Sequence, residues 1–159
     1  MSEKLVIKSN FEVFQDYDSL AESDKVLIDA AEKSSSNAYA PYSHFYVGAA
    51  VISNKGNITT GNNQENAAFP SGLCAERVTL FSAYSQFPRD HITTLAVVAY
   101  NNDQAKPALP CGSCRQTILE YEMKQKEPIR VIMAYNKGSF LIANSIKDLL
   151  PLGFTNKDL

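Results

Sequence analysis

Cysteine and histidine are both scarce in this chain of 159 residues, with three of the first and two of the second. An odd number of cysteines excludes a disulfide framework in which every thiol is paired, and directs attention to metal binding or to a catalytic thiol. No run of lysine or arginine stands out, and 17 acidic against 15 basic residues give a net charge of -2. A phosphate-tracking basic stripe is therefore missing, which argues against a nucleic-acid partner. The first residues, "MSEKLVIKSNFEVF", carry charges every few positions and lack the apolar core of a signal peptide. Nowhere do about eighteen apolar residues follow one another, so no membrane partner and a soluble, cytoplasmic protein are expected. Repeats, low-complexity tracts and linkers are absent too.

What remains is 45% hydrophobic and 20% charged, the balance of one domain able to bury its own core. The expectation is a single domain over residues 1–159, in which residues 1–20 form a leader of unassigned structure. Residues 5–14 of that leader alternate loosely, as an extra strand would. "SDKVLIDAAEK" sets Val26, Leu27, Ala30 and Ala31 on one helical face, with Ser23 as a plausible cap. The polar "SSSNAYAPYSH" reads as a loop, and "FYVGAAVI" and "NITTGN" flank the turn "SNKG" as a hairpin. A helix over 76–86 leads into the β-branched strand "ITTLAVVAY", and a second helix, "CRQTILEYEMKQ", leads into "IRVIMAY"; "GSFLIAN" and the short helix "SIKDLLP" follow. Strands alternating with helices predict an α/β fold, a three-layer α/β/α sandwich with a mixed central sheet.

Each of the three cysteines falls at a predicted helix N-terminus. Cys111 and Cys114 form the Cys-x-x-Cys of "PCGSC", and Cys74 stands two residues before Glu76 in "SGLCAERVTLF". Unpaired amides and the positive end of a helix dipole favour thiolates there, and a thiolate is the form that binds zinc. A structural zinc closes its tetrahedron with four protein ligands, whereas a catalytic one leaves a position for water. A fourth cysteine does not exist, and only His44 or His91 could close the site, so an open, catalytic Zn2+ is favoured. The Cys-x-x-Cys pair alone also fits a redox dithiol, but a redox pair needs no third thiol. Glu76 can reach a metal-bound water without ligating the metal, the position of a general acid/base; its plainer reading is a glutamate placed to suit the helix dipole. Three thiolates leave a zinc site negative, and Arg77, three residues after Cys74, can donate to the sulfurs and offset that charge.

At "CAER" and "PCGSCRQ" the sequence resembles the cytidine deaminase family in its three-cysteine form, whose general chemistry is known. "APYSHFYVGAAV" is similar to the family's Ala-Pro-Tyr-Ser-x-Phe-Pro-Val-Gly-Ala-Ala segment, "NNQENAAF" to its Asn-x-Glu-Asn segment, and "LLPLGF" to its Leu-Leu-Pro-x-x-Phe. The resemblance runs from about residue 20 to residue 154. Tyr46 departs from the usual proline, and Phe69 lacks the hydroxyl the family often has there.

The resemblance implies one zinc ion per subunit on Cys74, Cys111 and Cys114, with Glu76 shuttling protons and Arg77 supporting the thiolates. It further implies that the main chain at Ala75 contacts the pyrimidine, that Phe45 stacks near the base, that Asn63 and Glu65 bind the ribose hydroxyls, and that Phe154 enters a neighbouring subunit's site. The implied reaction is hydrolytic: an activated water attacks C4 of cytosine, Glu76 passes a proton to N3 and then to the departing amine, and ammonia leaves. Substrates would be the small-molecule nucleosides cytidine and deoxycytidine, in pyrimidine salvage, and the assembly a homotetramer with shared active sites. Two other readings are a blasticidin S-type aminohydrolase, which has a similar core, and a non-catalytic zinc-stabilised nucleoside-binding module in which His44 or His91 closes the site.

Overall fold

The computed structural model describes residues 2–99, 108–135 and 139–159. Its elements run β1 (Glu12–Phe14), α1 (Glu22–Ser35), β2 (Val47–Ser53), β3 (Ile58–Asn62), α2 (Ala75–Gln86), β4 (Ile92–Ala99), α3 (Gly112–Gln125), β5 (Arg130–Tyr135) and β6 (Ser139–Ala143). Six strands form one sheet in the order β1-β6-β5-β4-β2-β3. Only β4 and β5 are parallel, because α3 forms the crossover between them, and every other neighbouring pair is antiparallel.

The sheet is covered on both sides. Leu95 and Val97 of β4 pack with Leu80 of α2 and Ile118 of α3, while Ala96 and Val98 pack on the opposite face with Leu27, Ile28 and Ala31 of α1. This is the expected α/β/α layering, and it explains why "ITTLAVVA" is apolar without alternation. Two glycines let the outer layers come close. A Cβ on Gly48 of β2 would sit 1.9 Å from the Ala31 carbonyl of α1, and one on Gly61 of β3 would sit 2.6 Å from the Thr79 hydroxyl of α2.

Several local expectations are corrected. Helix α1 begins at Glu22 with Ala21 as its N-cap, and no side chain caps it, so Ser23 lies inside the first turn. Its buried face is Asp24, Leu27, Ile28, Ala31 and Ser35, rotated from the expected one, and Val26 faces solvent. The rotation brings Asp24 against the sheet, where both of its carboxylate oxygens accept from the Arg130 guanidinium at 2.6 and 2.9 Å. Near the C-terminus the expected short helix is a three-residue 3-10 turn, Ile146–Asp148, capped by the Ser145 hydroxyl. The leader that patterning leaves unassigned supplies β1, which pairs with β6 through Val13 opposite Leu141. Tyr100, expected to end β4, lies outside the described residues.

Candidate active site

Two helix N-termini converge at the carboxyl end of β4. Cys74 is the N-cap of α2, Cys111 is the N-cap of α3, and Cys114 sits in the first turn of α3. Neither cap uses its side chain on the helix, so both sulfurs are free to face outward. The Cys111 and Cys114 sulfurs are 3.4 Å apart and those of Cys74 and Cys111 are 3.7 Å apart, and all three lie within 4.8 Å of one another. A tetrahedral zinc with Zn–S bonds of about 2.3 Å sets its sulfurs about 3.8 Å apart, so the three cysteines fit that ion. Neither histidine belongs to the cluster. Nδ1 of His91 is instead 3.2 Å from the Glu127 carboxylate.

Electrostatics within the cluster favour thiolate. A hydrogen bond from Cys114 and the neighbouring Arg77 bring the Cys74 thiol down to about 5 in spite of its burial. Cys114, buried and donating to Cys74, is pushed up correspondingly. Arg77 Nη2 lies 4.0 Å from the Cys74 sulfur, and its Nε is buried without a hydrogen-bond partner among the described residues. Its charge faces the sulfurs, as a supporting cation's should.

Glu76, in the first turn of α2, is only 4% exposed. Burial is the main cause that lifts its carboxyl to about 7, assisted by the charge of Cys74 and opposed by its own backbone N–H, Cys114 and Arg77. A carboxyl that titrates near neutrality can both take and give a proton.

Cys74, Glu76 and Cys111 line a cavity of about 360 Å³. Phe45, Val47, Ala75, Val97, Ala108 and Leu109 make its apolar lining, and Asn63 and Glu65 add polar groups to it. An adjoining cleft of about 440 Å³ shares Ser43, Asn63, Glu65 and Cys74, and is bounded by Tyr42 and Phe69, whose rings meet edge to face at 6.0 Å.

Asn63 and Glu65 are also engaged within the protein. Asn63 donates to the Phe45 carbonyl and accepts from the Val47 N–H at 2.8 Å. Glu65 accepts from the N–H of Tyr42 at 2.9 Å, from the N–H of Ser43 at 3.2 Å and from the Ser43 hydroxyl. The Ser43 bond in particular holds the Glu65 carboxyl below the usual range. Residues 42–47 thus hang on two side chains of the loop after β3. Sequence reasoning missed Ser43, whose hydroxyl also accepts from the Phe45 N–H at 3.0 Å; the signal was present as the hydroxyl-to-i+2 turn habit of serine. Phe154 is 58% exposed and does not line the cavity of its own chain, while its carbonyl accepts from Gln116 at 2.8 Å.

The family profile described as the cytidine and deoxycytidylate deaminase zinc-binding region matches residues 21–127, which include every ligand of the cluster and Glu76. The chain belongs to that family. The chain is 38% identical to the cytidine deaminase of Halalkalibacterium halodurans over 135 residues, 85% of this chain and 96% of the relative. The crystal structure of cytidine deaminase from Burkholderia pseudomallei superposes with a TM-score of 0.73 at 38% identity, covering 85% of this chain and 100% of the other. The blasticidin-S deaminase of Bacillus cereus is more distant, 27% identical over 140 residues, 86% of this chain and 95% of the relative. The family match starts at residue 21, just beyond the leader that carries β1.

Proposed function

We infer that this chain hydrolyses the exocyclic amine of cytidine and deoxycytidine, giving uridine, deoxyuridine and ammonia, with one zinc ion per subunit. The observation that carries the reading is the buried Glu76 carboxyl beside three sulfurs that supply three ligands and leave a tetrahedral position open. Zn2+ on Cys74, Cys111 and Cys114 would supply the Lewis acidity that makes a water nucleophilic near neutral pH.

The remaining work falls to the protein. Glu76 takes one proton of the attacking water and delivers it to N3 of the base, then takes the second from the hydroxyl now on C4 and gives it to the amine, so that the C4–N bond breaks, ammonia leaves and the C4 carbonyl forms. The Ala75 main chain and the Phe45 ring hold the pyrimidine against the wall of the cavity. Asn63 spends one N–H and one lone pair on the Phe45–Val47 backbone, which leaves it one donor and one acceptor for a ribose hydroxyl. Glu65 accepts three protein hydrogen bonds and retains capacity for a further hydroxyl. Its negative charge would repel a phosphate, which favours a free nucleoside over a nucleotide or a polynucleotide.

Phe154 is exposed near the start of α3, and supports an assembly in which it completes a neighbouring subunit's cavity, a symmetric homotetramer. The whole chain acts as one domain in this reading. Its expected place is the cytoplasm, in pyrimidine salvage; among the described residues no helix is long and apolar enough to cross a membrane.

The deciding experiment follows the near-ultraviolet absorbance of cytidine and of deoxycytidine after addition of purified protein, with and without a zinc chelator. Conversion that the chelator abolishes is expected. Turnover of blasticidin S with neither nucleoside converted would replace this reading with the related aminohydrolase. Nucleoside binding without turnover, together with a histidine ligand in cobalt-substituted spectra, would replace it with a closed-site binding module.

A further inference from the structure

The leader contains a short strand whose outer side is open among the described residues. Among the described residues strand β1 is the edge of the sheet, bonded to β6 on one side only. Its attachment to the body is specific: the Asn10 N–H donates to Asp148 at 2.9 Å, Glu12 accepts from Asn144 at 2.9 Å, and Phe14 packs against the core under α1. Residues 2–13 are exposed at odd and even positions alike, and the apolar ones among them, Val6 at 63% aside, fall at odd positions. Leu5 is 75% exposed, Ile7 46%, Phe11 40% and Val13 59%. In an extended chain these residues share one face, and only Ser9 interrupts the apolar series. Residues 2–11 carry no regular secondary structure ahead of the three-residue strand, and an exposed apolar segment that continues an open strand edge is a template for pairing with another strand.

We propose that residues 4–14 of two copies of this chain pair antiparallel about a two-fold axis at Ser9, so that the two sheets continue through their β1 edges. The register follows from parity. The Asn10 N–H is turned inward onto Asp148, which in an extended chain turns the N–H and C=O of Ser9 and Phe11 outward. In a two-fold pairing, opposed residues must share the same hydrogen-bonding direction, so the axis passes through a residue and not between two. An axis at Ser9 sets Leu5 opposite Val13 and Ile7 opposite Phe11, each twice, and pairs four of the five exposed apolar residues of the segment with one another, Val6 being the fifth. On the other face Lys8 meets Asn10 and Val6 meets Glu12, with no like charges opposed.

Neighbouring axes do worse. At Lys8 the two lysines face each other; at Ile7, Leu5 meets Ser9; at Asn10, Phe11 meets Ser9 and Leu5 meets Gln15. The pairing uses only residues that precede the family match at residue 21, so it is an addition of this chain to the shared core and does not depend on its activity.

The test is site-directed disulfide formation in the full-length, zinc-supplemented protein. Opposed residues of a hydrogen-bonded antiparallel pair have Cα atoms about 5.5 Å apart, within disulfide range, whereas residue 3 lies about 40 Å from its copy in this register. Ser9→Cys is expected to form a 9-to-9 linked dimer under mild oxidation about a hundredfold faster than Glu3→Cys at micromolar protein, because paired strands hold the thiols at a high effective concentration. Adding Ile7→Asp and Phe11→Asp should remove that advantage while the circular dichroism and the melting transition stay in place. Equal rates for Ser9→Cys and Glu3→Cys, a peptide map that links residue 9 to Cys111, or linking that survives the two aspartates would overturn the proposal.

Discussion

The side-chain amide of Asn63 donates to the carbonyl of Phe45 at 2.9 Å, and its oxygen takes the N–H of Val47, so one side chain fixes both ends of the segment that lines the cavity. Removing it leaves two partly buried backbone groups unpaired and lets Phe45 move. The Asn63→Ala variant should raise KM for cytidine about ten- to a hundredfold, the range of one to two lost hydrogen bonds at about 1–3 kcal/mol, with a smaller effect on kcat. Steady-state kinetics check this; an unchanged KM with a depressed kcat would show that Asn63 acts on the chemical step instead. Ser43→Ala should move KM in the same direction, because its hydroxyl links the Glu65 carboxylate to the Phe45 N–H.

Glu76 carries a sharper expectation. Glu76→Gln keeps the shape of the side chain and removes its ability to exchange a proton, so turnover should fall by about 10²–10⁴ or more. The thiols are untouched, and metal content by elemental analysis should stay at one zinc per chain. Burying a neutral amide in place of a carboxyl should also leave the melting temperature unchanged or higher. Near-normal turnover would remove Glu76 from the mechanism.

Much of the fold was legible because strong patterns agreed with one another. "ITTLAVVA" is apolar at successive positions because α1 covers one face of β4 and α2 and α3 cover the other. The cysteines were legible as a cluster because their spacing placed each at a helix start, where the structure brings their sulfurs together. The rotation of α1 was not legible: Val26 and Ile28 are equally apolar, and the choice between them is made by Asp24 meeting Arg130, 106 positions away. The second occupation of Asn63 and Glu65, as supports of residues 42–47, was hidden for the same reason. It depends on a loop after β3 folding back against a loop before β2, and no local pattern encodes that meeting.

The hairpin turn between β2 and β3 provides a pH test. Asp90 accepts from Lys55 at 2.7 Å, from Asn57 at 2.8 Å and from the Ser53 hydroxyl at 3.0 Å, closing the turn onto the segment before β4. The Lys55 bond first, then those of Asn57 and Ser53, hold its carboxyl below the ordinary value of 3.8. A depressed carboxyl stabilises the fold wherever it is ionised, and that contribution is lost as the pH falls through its lowered value. Asp90→Asn should therefore be less stable than the parent at neutral pH, and the difference should close at a pH below 3.8. Urea denaturation at both extremes measures it, and a difference independent of pH would mean that the loss is one of packing and not of charge.

Glu122 joins the far end of α3 to the sheet in a way that charge alone does not describe. It is buried, and Oε1 accepts from the N–H of Ile129, ahead of β5, and from the N–H of Ile146, beyond β6, both at 2.8 Å; Oε2 takes the Ser145 hydroxyl at 2.9 Å. Glu122→Ala strands two buried N–H groups, each costing about 1–3 kcal/mol, so a loss of roughly 2–6 kcal/mol is expected by denaturant titration. Glu122→Gln keeps an oxygen at the position of Oε1 and should lose about half as much or less. The helix that this clamp orients carries Cys111 and Cys114 at its other end. If the clamp also sets the tilt of α3, Glu122→Ala should weaken zinc retention in a chelator competition while Glu122→Gln retains it. If it serves stability alone, both variants that remain folded should hold the metal equally, and the two outcomes separate a local clamp from one whose effect reaches the sulfurs along the helix.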